Sequence, residues 1–141
     1  MDADTSRPLA RLIAWGRIVV GVSAVVAPTL SARPWIGADA GAPGSRLLAR
    51  AMGGRDLALG VGALRGLGVS DREARPWVAL GGMADAVDAM ATVLAFGSLP
   101  RRSRWGILAV TVGAAVVSIR AAAALDTEAP SVTPPAGATS A

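Results

Sequence analysis

Four apolar stretches dominate this chain, and their length decides what it can fold into. They run from about Leu9 to Leu30, Leu47 to Val69, Trp77 to Leu99 and Arg104 to Leu125, 22–23 residues each. A helix needs about 20 apolar residues to cross a hydrocarbon core roughly 30 Å thick. Each stretch therefore reads as one helical span. Gly/Pro-rich breaks separate them, at about Ser31–Ser45, Gly66–Arg75 and Gly97–Ser103. Four spans return the chain to the side it left. The expected fold is all-α: residues 1–125 form a four-helix transmembrane bundle with both termini on the same side. Residues 126–141, DTEAPSVTPPAGATSA, are expected to be a disordered tail, because three prolines and almost no large apolar side chain cannot build a core.

Charge content supports a lipid-facing surface. Only 17% of the 141 residues are charged, against about 25% in a soluble domain. Trp15, Trp35, Trp77 and Trp105 stand near the ends of the stretches, where an indole edge meets headgroup water. The second stretch is the weakest span, since it holds Arg50, Arg55, Asp56 and Arg65. Apolar runs at Leu47–Met52 and Leu57–Leu64 bracket that polar cluster and keep it in the count. Arg17 interrupts the first stretch too early for a signal peptide core, and no small-residue cleavage site follows. The expected location is a bacterial inner membrane, with the lipid bilayer as partner and the chain multi-pass. Flanking arginines divide evenly between the two sides, so positive-inside counting does not choose an orientation. Arg7 and Arg11, ahead of the first span, lean toward cytoplasmic termini. Small residues recur at i, i+4 spacing (Gly62/Gly66, Gly82/Ala86, Ala109/Gly113, Ala114/Ser118/Ala122), a pattern compatible with close helix packing.

The residue inventory removes whole classes of chemistry. The chain has no Cys, His, Tyr or Lys, and all 14 basic residues are Arg. Thiol nucleophiles, disulfides, haem ligation by His and the usual zinc sites are excluded. Arginine stays protonated, so side-chain proton transfer falls to Asp and Glu. A sequence pI near 11.4 does not point to nucleic acid, because the arginines are scattered and no recognition motif accompanies them. No cofactor is expected.

Against this background, the acidic pair Asp85 and Asp88 inside the third stretch stands out. A carboxylate near the bilayer centre costs roughly 2.5–3.5 kcal/mol on insertion scales. Gly81, Asp85, Asp88 and Thr92 fall at i, i+4, i+7 and i+11, one stripe of a helix that should face its neighbours. Arg55 and Asp56 lie eight to nine residues into the second stretch, roughly 12–14 Å deep at 1.5 Å per residue. Asp88 enters from the opposite face and reaches nearly the same level. Arg17 comes level with Asp85. Two buried pairs are therefore expected, Arg55–Asp88 and Arg17–Asp85, with Asp56 as a third carboxylate.

Three readings of that cluster stay open. The pairs fix the register of a bundle. Or they catalyse: close carboxylates push one another's pKa values apart, so one can be an acid and another a base. An isomerase, cyclase or hydrolase acting on an apolar substrate would use them so, with Asp88 or Asp85 as the acid and Arg55 keeping its partner ionised. Or they carry protons in a transporter, for which four helices leave so little room that a homo-oligomer would be needed. Asp85-Ala-Val-Asp88 could supply half of a Mg²⁺ site, but no second Asp-rich motif completes it, and no metal is expected.

The run Arg50-Ala-Met-Gly-Gly-Arg-Asp-Leu-Ala-Leu-Gly-Val-Gly-Ala-Leu64, followed by Trp77 and Gly82-Met-Ala-Asp-Ala-Val-Asp-Ala-Met-Ala91, resembles small bacterial integral membrane proteins catalogued as domain of unknown function 4267. The resemblance covers the second and third stretches well and the first loosely, through Arg17 and Pro28. It implies four spans and no particular activity.

Overall fold

A computed structural model describes residues 3–101 and 103–125, with side chains from Thr5 onward. The expected tail at 126–141 lies outside the described residues. These residues form five α-helices and one short 3-10 turn, with no strand among them. The helices are α1 (Ala3–Val26), α2 (Pro28–Ile36), α3 (Pro43–Val69), α4 (Asp71–Leu94) and α5 (Arg104–Ala124), with the 3-10 turn at Gly37–Gly41.

The first expected span, 9–30, does not stay one helix. A residue before proline is pushed out of the α region, and Ala27 takes φ −126°, ψ 62° there. Pro28 then occupies the first turn of α2, where its missing N–H costs nothing. Gly37, at φ +65°, ends α2 in the left-handed region that suits glycine. The expected break at 31–45 is thus largely helical. The break at 66–75 shrinks to Ser70, whose hydroxyl accepts the Glu73 backbone N–H at 3.2 Å. Asp71 and Glu73 in that first turn favour the positive end of the helix dipole. The third stretch accordingly starts at Asp71 rather than Trp77 and ends at Leu94 rather than Leu99.

Three helices, α1, α4 and α5, are long and apolar enough to cross a membrane, not four. α3 has the length, 27 residues, but its sequence includes five charged residues and seven glycines. α1 packs along α3, α3 along α4, and α4 along α5, while α5 touches α1 and closes the ring.

Glycine sets how closely α1 and α3 approach. A Cβ on Gly21 would stand 2.7 Å from the Gly53 carbonyl oxygen, and one on Gly60 would stand 2.7 Å from the Ala14 carbonyl oxygen. Position 21 meets 53 and position 14 meets 60, so the two helices are antiparallel. Of the small-residue pairs, Gly62, Gly66, Ser118 and Ala122 do face inward, whereas Ala86, Ala109 and Gly113 are not buried. A buried apolar cluster gathers Ala10 and Ala14 of α1, Ala63 and Leu67 of α3, Ala74 and Val78 of α4, and Ala121, Ala122 and Leu125 at the end of α5. All of these lie toward one end of the ring.

Candidate functional site

The five charged residues singled out in the sequence meet at mid-height of the ring. Arg17 comes from α1, Arg55 and Asp56 from α3, and Asp85 and Asp88 from α4. Asp85 and Asp88 are three residues apart, so one face of α4 presents both. Gly81, a turn earlier, gives Arg17 its seat: a Cβ there would stand 2.7 Å from the Arg17 Nε.

The contacts form one continuous chain. Arg17 Nη2 donates to Asp85 Oδ2 at 2.5 Å, and Arg17 Nη1 donates to Asp56 Oδ1 at 3.1 Å. The same Asp56 oxygen accepts from Arg55 Nη2 at 3.3 Å. Arg55 then grips Asp88 with both terminal nitrogens, at 3.1 Å to Oδ1 and 2.8 Å to Oδ2. The order is Asp85–Arg17–Asp56–Arg55–Asp88, tying three helices together. Four of the side chains are 10–17% exposed, while Arg55 is 32% exposed. Thr92, on the same α4 stripe, is buried and turns its hydroxyl to the Asp88 carbonyl at 2.7 Å.

Both expected pairs therefore form, and Asp56 does more than stand nearby, since it joins them. The distribution of bonds also separates the carboxylates. Asp88 has both oxygens occupied in a two-pronged grip, the strongest geometry for Arg and carboxylate. Asp56 and Asp85 each have one oxygen engaged and one to which no donor reaches among the described residues. Arg55 meets both Asp88 oxygens, which leaves Asp56 and Asp85 as the carboxylates of the network with an unengaged oxygen.

Next to this chain of charges lies a cavity of about 460 Å³. Its wall takes Val20 and Ala24 from α1, Ala49 and Met52 from α3, and Val110 and Ala114 from α5. α2 covers it, contributing Ser31, Ala32 and Trp35. Arg17, Asp56, Asp85 and Asp88 line the same space; apart from them it is mainly apolar. The Trp35 indole is half-buried in the cavity wall.

Sequence reasoning missed α2 as a cover. The signals were present: Pro28 fits a helix start and Gly37 fits a helix stop, nine residues apart. The α5 contribution was also missed, although Thr111 and Ser118 are the polar residues on its buried face and both line the cavity. Among the described residues no three carboxylates converge as metal ligands would.

No family model, no curated protein and no solved structure matches the chain. The site therefore has to be read from its own geometry.

Proposed function

We propose that the chain is a four-span inner-membrane protein whose cavity is a site of acid–base catalysis on an apolar substrate. The observation that carries this reading is the contact between an apolar cavity of about 460 Å³ and two carboxylates that each keep one oxygen unengaged. Drug-sized ligand sites occupy roughly 300–1,000 Å³. Two guanidiniums face three carboxylates in the network, so one proton makes the set neutral. That proton is the catalytic one. Asp85 or Asp56 donates it to an alkene carbon, an enol carbon or an epoxide oxygen. The other carboxylate removes a proton from a neighbouring carbon, and the set regains the proton it gave. An isomerisation or cyclisation closes this balance without a cofactor. Arg17 touches both carboxylates and is the group that positions them. Arg55 and Asp88 anchor the network from the far side.

α3 belongs among the spans in this reading, although its composition alone does not qualify it. Its charges at mid-height are paired with α1 and α4, and it runs antiparallel to α1 along a glycine contact. Both ends of the bundle chain then lie on one side of the membrane. The likeness to domain of unknown function 4267 is part of the same proposal. Cysteine labelling in a chain with no native Cys tests the topology. With four spans, cysteines at Thr5 and Arg72 label from one side and cysteines at Gly41 and Gly97 from the other. If α3 does not cross, Thr5 and Arg72 label from opposite sides.

The chemistry is tested by mass spectrometry of the protein purified in detergent. The catalytic reading expects wild type to retain an apolar molecule that Asp56→Asn/Asp85→Asn retains differently or leaves unconverted. Proton or ion flux through wild-type liposomes, lost in the same double variant, would replace catalysis with transport.

A further inference from the structure

The cavity carries a charge bias that an apolar occupant alone does not answer. Its wall holds three carboxylates, Asp56, Asp85 and Asp88, and one guanidinium, Arg17. The second cation, Arg55, is turned away from the cavity and spends its terminal nitrogens on Asp88 and Asp56. Asp56 Oδ2 and Asp85 Oδ1 receive no donor among the described residues, and neither atom is sealed in the protein. Both belong to residues that line the cavity.

We propose that this cavity binds a free hydrophobic monocation: a quaternary ammonium, a phosphonium or a protonated amine on an apolar body. The positive centre sits against Asp56 and Asp85, and the body fills the space between Val20, Met52, Val110 and Trp35. The inference shares its cavity with the catalytic reading above but does not require turnover. Charge complementarity selects the occupant. In a water-poor site, an uncompensated carboxylate is costly, and a cation at contact distance gains far more there than in water. An anion would meet three carboxylates and no free guanidinium. A neutral molecule would leave the excess negative charge to a proton. An aromatic wall such as Trp35 also suits a cation. Size selects the source, since a two-chain phospholipid does not fit in about 460 Å³, while a compact organic cation does. The same arrangement suits a reaction in which the substrate turns cationic as it takes the network's proton, so a stable cation would resemble the charged species.

The test is equilibrium binding of radiolabelled tetraphenylphosphonium to the full chain in detergent, with uncharged triphenylphosphine oxide as competitor. Wild type is expected to bind it saturably, and the neutral competitor is expected to leave the cation bound. Asp56→Asn/Asp85→Asn should weaken binding by about tenfold or more, the loss of a close charge contact in a partly dry site. Ala114→Trp, which fills the cavity from α5 and leaves every charged residue of the network in place, should abolish saturable binding. The proposal is overturned if wild type shows no saturable binding, if triphenylphosphine oxide displaces the cation equally well, or if either variant binds as wild type does. Should the double Asn variant fail to accumulate, the charge selectivity of wild type and the Ala114→Trp result still decide. Cation binding by a protein that converts no apolar molecule would keep this inference and remove the catalytic reading. A retained neutral substrate with no cation binding would do the reverse.

Discussion

The two halves of the ring differ in what fills them. In the half that holds the start of α1 and the end of α5, Ala10, Ala14, Ala63, Ala74, Ala121 and Ala122 close the centre with small side chains around Leu67, Val78 and Leu125. In the other half the centre is hollow, and α2 lies over the space. The charges sit at the boundary. In the proposed bilayer setting, hiding apolar surface gains a helix little, so close packing and polar contacts must hold the ring. The packed half supplies the first and the Arg/Asp chain supplies the second. With those two in place, the hollow half is free to keep a cavity.

The largest expected effect comes from the boundary itself. Arg17→Gln removes the partner of Asp85 and one of the two partners of Asp56. Breaking a buried ion pair on one side costs about 3–5 kcal/mol, and thermal unfolding in detergent should show a loss of that order. A loss no greater than that of a surface substitution would remove Arg17 from its bridging role.

Overpacking separates the two halves directly. Ala14→Leu inserts bulk where Ala14 is fully buried against the Gly60 approach, and it should destabilise by about 1–3 kcal/mol. Ala114→Leu projects into the cavity and should cost well under about 1 kcal/mol. Equal losses at the two positions would show that the hollow half is as tightly filled as the other.

The smallest effect belongs to the rim of the packed half. Arg7 pairs with Asp71 at 3.4 Å and donates to the Leu67 carbonyl at 2.7 Å, with its side chain 49% exposed. Arg7 is half exposed and water can take its place beside Asp71, which is itself buried, so Arg7→Ala should cost about 1 kcal/mol, the upper end of the range for surface pairs. A loss matching that of Arg17→Gln would erase the distinction between rim and centre.

Much of this arrangement was legible in the sequence, and the rest was hidden for physical reasons. Depth along a helix is arithmetic, about 1.5 Å per residue, so residue numbers alone level Arg55 with Asp88 and Arg17 with Asp85. Rotation about the helix axis is not given by depth. In this chain the outward faces of the helices are apolar as well as the core faces, so hydropathy does not mark which side turns inward. That is why Ala109 and Gly113 could be counted as contact residues although they face out, and why Gly21, Gly53 and Gly60 escaped notice. The bridging role of Asp56 depends on the same rotation. Its neighbour Arg55 points toward α4 while Asp56 points between α4 and α1. α3 shows the converse limit. Its charges lower its apolarity below that of a span, and the reason they can stay is visible only when their partners on α1 and α4 are in place.

Paired charges from three helices hold the middle of the bundle, and exchanging the outermost pair tests this most directly. The variants are Arg55→Asp alone, Asp88→Arg alone, and both together, each followed by thermal unfolding in detergent. Each single change should lower stability by about 3–5 kcal/mol. The double exchange should recover most of that loss, because the new Arg at 88 can meet the new carboxylate at 55 and Asp56 beside it. Singles that unfold like wild type, or a double no more stable than the worse single, would contradict the account.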